Sequence, residues 1–117
     1  MPSIITTTKY TRPSVDVDFF LVDPIVVDEI DRLMIDGAII RKQTKDTDDG
    51  LSRLFETEFQ NKEAYLQFKS NAIILDMAES RNEYNEANGI TKEGPKIEVH
   101  YLKGDEEKIN IDELFLE

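Results

Sequence analysis

Residues 3–10, Ser-Ile-Ile-Thr-Thr-Thr-Lys-Tyr, are β-branched or aromatic at most positions. Such side chains suit a pleated surface, so this stretch predicts a first strand, which Pro13 closes off. The next segment, 15–22, opens in strict alternation (Val-Asp-Val-Asp) and then turns apolar (Phe-Phe-Leu-Val), as a short extended piece or a buried lead-in would. From 24 to 36 the period becomes helical. Asp23 is placed to cap the free amides, and Pro24 forfeits only an amide that has no partner in the first turn. Val27, Ile30, Leu33 and Met34 fall on one face, with Asp28, Glu29, Asp31 and Arg32 largely on the other, and Gly37 ends the run.

Residues 38–45 and 51–60 read as two strands around Asp46-Thr47-Asp48-Asp49-Gly50, a hairpin signature because Asp-Gly tolerates positive φ. In the second of these strands Phe55, Thr57 and Phe59 share one face, continued by Leu51 and Arg53, while Glu56 and Glu58 point the other way. Asn61 starts a helix carrying Ala64, Tyr65 and Phe68, with a break near Ser70-Asn71. A longer helix over 72–88 places Ile74, Met77, Ala78, Arg81 and Tyr84 in a stripe, and Asn88-Gly89 ends it, with Ile90 free to fold back on Tyr84. After a loop through Gly94-Pro95, residues 96–102 alternate as a fourth strand, with Ile97, Val99 and Tyr101 on one side and Glu98, His100 and Leu102 on the other.

Strand, helix, strand, strand, helix, strand is the order of the ferredoxin-like split βαβ fold. The expected architecture is therefore α+β: a four-stranded antiparallel sheet with both helices on one face. Residues 1–103 form that domain, and the acidic, apolar tail 104–117 docks on its own or a partner's surface. The other sheet face is left open. Leu54 and Leu102 lie opposite Phe55, Phe59, Val99 and Tyr101, so each side of the sheet carries apolar groups, which favours a homo-oligomer and most simply a two-fold dimer. Leu54, Leu102 and His100, with Ile109, Ile111, Leu114, Phe115 and Leu116 of the tail, are the candidate interface residues.

The 117 residues suffice for one domain with a single core, and 33% charged against 39% hydrophobic fits a folded chain. A formal charge of −11 repels phosphate backbones and anionic membranes, so nucleic acid is not expected as a direct ligand. No apolar run approaches the roughly 20 residues that span a bilayer, and the first residues lack the basic region of a signal peptide. The absence of cysteine excludes disulfides, thiolate metal sites and a cysteine nucleophile, and it fits a cytoplasmic setting.

The stretch from Leu51 through Phe55, Phe59, Asn61, Glu63, Ala64 and Tyr65 to Phe68 resembles the dimeric α+β barrel family that includes the antibiotic-biosynthesis monooxygenase-like domains. Those domains set a strand ending in an aromatic before an acidic, Ala-containing helix of this type. The chain departs from them at Phe59, where many have Trp, and at Asn71, where a His is expected. The Thr-rich start, Arg12-Pro13-Ser14-Val15, the hairpin, and Arg81 to Tyr84 followed by Asn88-Gly89-Ile90 are also similar to small proteins of tailed marine phages, which would set the chain in the host cytoplasm or a virion.

His100, the single histidine, has no nucleophile motif and no second histidine to work with. In the acidic turn, aligning Gly50 with the glycine of a calcium loop puts Lys45 at the first ligand position, where a cation repels metal. Asp76, Glu79, Glu83 and Glu86 lack the Glu-x-x-His pairing of a di-metal helix. Tyr65, Phe68, Phe55 and Phe59 read as core, or in the rival reading as the lining of a pocket. There is no phosphate-binding glycine motif, and no metal or organic cofactor is expected. The leading expectation is a non-enzymatic, self-associating interaction or assembly module, with a phage accessory or virion structural protein as its setting. Its rival is a small cofactor-free monooxygenase or ligand-binding protein of the dimeric barrel type.

Overall fold

A computed structural model describes residues 1–115. The elements in chain order are β1 (Ser3–Thr11), α1 (Pro24–Ile35), β2 (Ile39–Asp46), β3 (Ser52–Phe59), α2 (Lys62–Ser70), α3 (Ala72–Asn88), β4 (Thr91–His100) and α4 (Ile111–Leu114). All strand pairs are antiparallel, in the order β2-β3-β1-β4, which is the split βαβ arrangement expected from the sequence. The helices begin where polar side chains satisfy free amides. Asp23 accepts from the Ile25 amide, Asn61 from Ala64, and Asn71 from Ile73 and Ile74. Asn71 is also the residue at which α2 ends, so the expected break is the N-cap of the next helix.

The register assigns each strand residue to a face. Ile4 is opposite Phe59 and Val99, and Thr8 is opposite Phe55. This face carries the helices, and its core joins Ile4, Ile39, Phe59, Ala64, Tyr65, Ile97 and Leu114, with Ile30, Leu33 and Phe68 packed against it. Phe59 stacks at tilted angles with Tyr65 and Phe68, with ring centroids 5.1 and 4.9 Å away, so these aromatics fill space against one another.

Two details differ from the sequence reading. The buried side of α1 runs through Val26, Ile30 and Leu33, while Val27 and Met34 face water. Ile30 and Leu33 belong to both stripes, which each obey helical spacing, and only the packing against the sheet chooses between them. The fourth strand begins five residues early and stops at His100, so Gly94-Pro95 lies inside it and Tyr101 and Leu102 lie beyond it. Gly94 makes this possible. The β1–β4 register shifts between Thr7 and Lys9, and there Gly94 takes φ +102° with its missing Cβ only 2.7 Å from the Thr7 carbonyl oxygen.

The segment 12–22 is a strap over the helix-bearing face. The Arg12 Nε donates to the Gly50 carbonyl and its Nη1 to that of Val17. The Arg12 and Arg53 guanidinium groups lie 4.7 and 4.6 Å from the centre of the Phe19 ring. Arg81 of α3 sits within 5.5 Å of the Tyr10, Phe20 and Phe55 rings, and the Tyr84 hydroxyl donates to the Asp18 carbonyl. Cations over ring faces thus fasten irregular backbone to the sheet.

Candidate functional site

The face opposite the helices is built by the residues that alternate with the core set. Ile5, Thr7 and Lys9 of β1 lie beside Leu54, Glu56 and Glu58 of β3, flanked by Arg41, Gln43 and Lys45 of β2 and by Glu93, Lys96, Glu98 and His100 of β4. The strap is bound to the helix side by Arg53 and Arg81, and the tail buries Leu114 in the helix-side core.

One end of this face holds a polar network. The Ser3 hydroxyl donates to Glu58 Oε2 at 2.6 Å, and Arg41 reaches Glu58 Oε1 at 3.3 Å and Glu56 Oε2 at 2.5 Å. The Ser3 hydroxyl and, after it, the Arg41 guanidinium hold the Glu58 carboxyl below its ordinary range against a desolvation that raises it. His100 Nδ1 is 3.7 Å from Glu58 Oε2, with its ring 55% exposed. The histidine singled out in the sequence therefore borders this network in open solvent, away from the Phe59, Tyr65 and Phe68 cluster.

Leu54 is half-buried at the other end of the face, with Lys9 and Lys45 across from it on the two neighbouring strands. Leu102 is exposed past the end of β4. In the tail, Ile109 packs on the core, and Lys69 donates to the Leu114 carbonyl at 2.8 Å while Lys62 pairs with Glu113 at 2.7 Å. Ile111 and Phe115 remain exposed, and Leu116 lies outside the described residues. The candidate residues thus fall on three separate surfaces.

Two carboxylates of the acidic turn are engaged locally. Asp49 accepts from the Leu51 amide and the Thr47 hydroxyl, and Asp46 from Arg53. Among the described residues no group of three or more His, Asp or Glu is arranged to hold a metal ion, and no helix is long and apolar enough to cross a membrane.

The sequence matches no known family profile and no curated protein. Among solved structures, a dimeric ferredoxin-like protein from an uncultured marine organism superposes with a TM-score of 0.50 at 8% identity, over 88% of this chain and 99% of that one. The fold is ferredoxin-like. Rv0793 from Mycobacterium tuberculosis also aligns, with a TM-score of 0.41 at 11% identity over 82% of this chain and 96% of that one.

The Ser3, Arg41, Glu56 and Glu58 network of this ferredoxin-like domain went unnoticed in the sequence. Its members come from three strands, and only the register brings them together. The alternation that sends Glu56 and Glu58 away from Phe55 and Phe59 was the available signal.

Proposed function

We propose that the chain is a non-enzymatic assembly module that forms a two-fold homodimer through the open faces of its sheets. The observation that carries this reading is the charge balance of that face. Lys9, Arg41, Lys45 and Lys96 oppose Glu56, Glu58, Glu93 and Glu98, whereas the whole chain has a formal charge of −11. Two such chains repel through most of their surfaces, and the open face is where they approach without that penalty. Ile5, Thr7 and Leu54 supply its apolar contribution, and a two-fold axis lets the face cover its own copy. The marine ferredoxin-like protein with this fold is itself described as dimeric, in keeping with the reading.

The monooxygenase or ligand-binding alternative relied on His100 beside an aromatic cavity. His100 stands on the solvent side of the sheet and the aromatics pack on its other side, which favours assembly. The likeness to tailed-phage proteins suggests a virion or accessory setting for such a module.

Light scattering coupled to size exclusion tests the dimer. The expected mass is twice the 13.5 kDa of the chain, reduced to that of one chain by Leu54→Glu with the circular dichroism spectrum unchanged. Leu102→Glu, beyond the strand, is expected to leave the dimer intact. A monomer at high micromolar concentration would overturn the proposal.

A further inference from the structure

A second surface lies on the other side of the molecule and is independent of the dimer. Between the end of the strap, the first turn of α1 and one flank of α3 runs a groove of about 580 Å³. Phe20, Val22 and Val26 form one wall, Ile73 and Met77 the other, and Leu21 and Ile25 stand at the lip. The lip is unusually wet for its chemistry: Leu21 is 89% and Ile25 59% exposed. A small ligand gains affinity by burying most of its own surface between closed walls. Here the walls are half-buried or buried while the lip stands in water, so only an occupant broad enough to cover Leu21 and Ile25 as well as the walls removes this apolar surface from solvent.

The charge around the groove determines what that occupant carries. Asp23 and Asp76 line it, and Glu79 and Glu83 follow on the exposed side of α3. The cations of the two helices are committed elsewhere. Arg32 is held by Glu29 and Asp36, and Arg81 is turned inward over Tyr10, Phe20 and Phe55. A second copy of this chain, at −11, brings charge of the wrong sign. The Ile73, Met77 and Ser80 flank has the i, i+4, i+7 spacing of a helical ridge, which a second helix meets by packing against it.

We propose that this groove docks a basic amphipathic helix of another protein, with its apolar stripe between α3 and the strap and its Lys or Arg residues over Asp23, Asp76 and Glu83. The probe is a synthetic peptide of about 18 residues, long enough for measurable helicity, with Leu at i, i+3, i+4 and i+7 and Lys elsewhere. Two comparison peptides have the same composition in scrambled order, or Glu in place of Lys.

Binding is followed by amide chemical shifts of the labelled full chain. The expected result is saturable binding that shifts Leu21, Ile25, Ile73 and Met77 and weakens as salt is raised. The loss is about tenfold or more in Leu21→Ser/Ile25→Ser, whose exposed positions leave the fold intact, given what burying one such side chain contributes. Equal binding of the scrambled peptide, or equal binding to wild type and the double variant, would reduce the effect to unspecific charge attraction and overturn the proposal. Tighter binding of the Glu peptide would overturn it too, as would concentration-dependent shifts at these positions without peptide, which would assign the groove to a second copy. None of these results bears on the mass of the Leu54→Glu variant, so the two proposals stand or fall separately.

Discussion

The Asn71 side-chain amide donates to Glu29 Oε2 at 2.7 Å, tying the junction between α2 and α3 to the middle of α1. The same carboxylate accepts two hydrogen bonds from Arg32. The Arg32 guanidinium first, and then the Asn71 amide, hold the Glu29 carboxyl at about 2, against an ordinary value of 4.5. A carboxyl whose folded value is depressed contributes stability that is complete above its unfolded value and is lost as pH falls through its folded one. The expected outcome is a wild-type melting temperature that falls as pH drops from about 5 towards 2. Glu29→Gln should be less stable at pH 7 and fall less over that range. Parallel curves for the two proteins would rule out this link.

Leu114 has no exposed surface and closes the core over Ile4, Phe59, Tyr65 and Ile97. Leu114→Ala is expected to cost about 2–5 kcal/mol in urea unfolding, the range for a buried Leu that leaves a cavity. Phe115→Ala, at an exposed position, should cost less than about 1 kcal/mol. Equal effects would mean that the tail is not anchored through Leu114.

At Gly94 a methyl group would meet the Thr7 carbonyl at 2.7 Å in a backbone conformation that L residues rarely adopt. Gly94→Ala should destabilise the fold by at least about 1–3 kcal/mol, the range for strained backbone positions. Gly104 also has positive φ, but nothing lies within 4 Å of its Cβ direction, so Gly104→Ala should cost less. Chemical denaturation of both variants checks the order.

Phe20 and Arg81 hold the strap to α3, with the ring centre 5.5 Å from the guanidinium carbon. Phe20→Ala should speed amide exchange in residues 14–22 while leaving β1 and β3 protected. Arg81→Met, which keeps bulk and removes charge, should show a smaller effect in the same direction. Uniform acceleration across the sheet would show instead that the strap supports the whole domain.

How far the sequence went depended on whether a signal was local. Caps at Asp23, Asn61 and Asn71 and the turn at Gly50 are decided within a few residues, and α1, α3 and the hairpin were legible from them. The choice between Val26 and Val27 for the buried side of α1 was not, since both positions fit a helical stripe and the sheet decides. Gly94-Pro95 reads as a loop because glycine and proline usually interrupt strands, yet here the pair forms an irregularity within one. The strap was ambiguous because Phe19 and Phe20 find their partners in Arg12, Arg53 and Arg81, two of which are far away in the chain. The Glu58 network stayed hidden for the same reason.

The strand order also has a kinetic consequence. β1 is central, yet its partners are β3 and β4, so Thr8 waits for Phe55 and Ile4 for Val99. Closing such long loops costs entropy before any contact repays it, and folding slows as the mean separation of contacting residues grows. Until β1 arrives, the local β2–β3 hairpin presents β3 as an unpaired edge carrying Phe55 and Phe59, a surface open to wrong partners. The order that gives the finished sheet its one open face thus also leaves the folding chain with a vulnerable edge, and yield on refolding should fall with protein concentration even where the native state is stable.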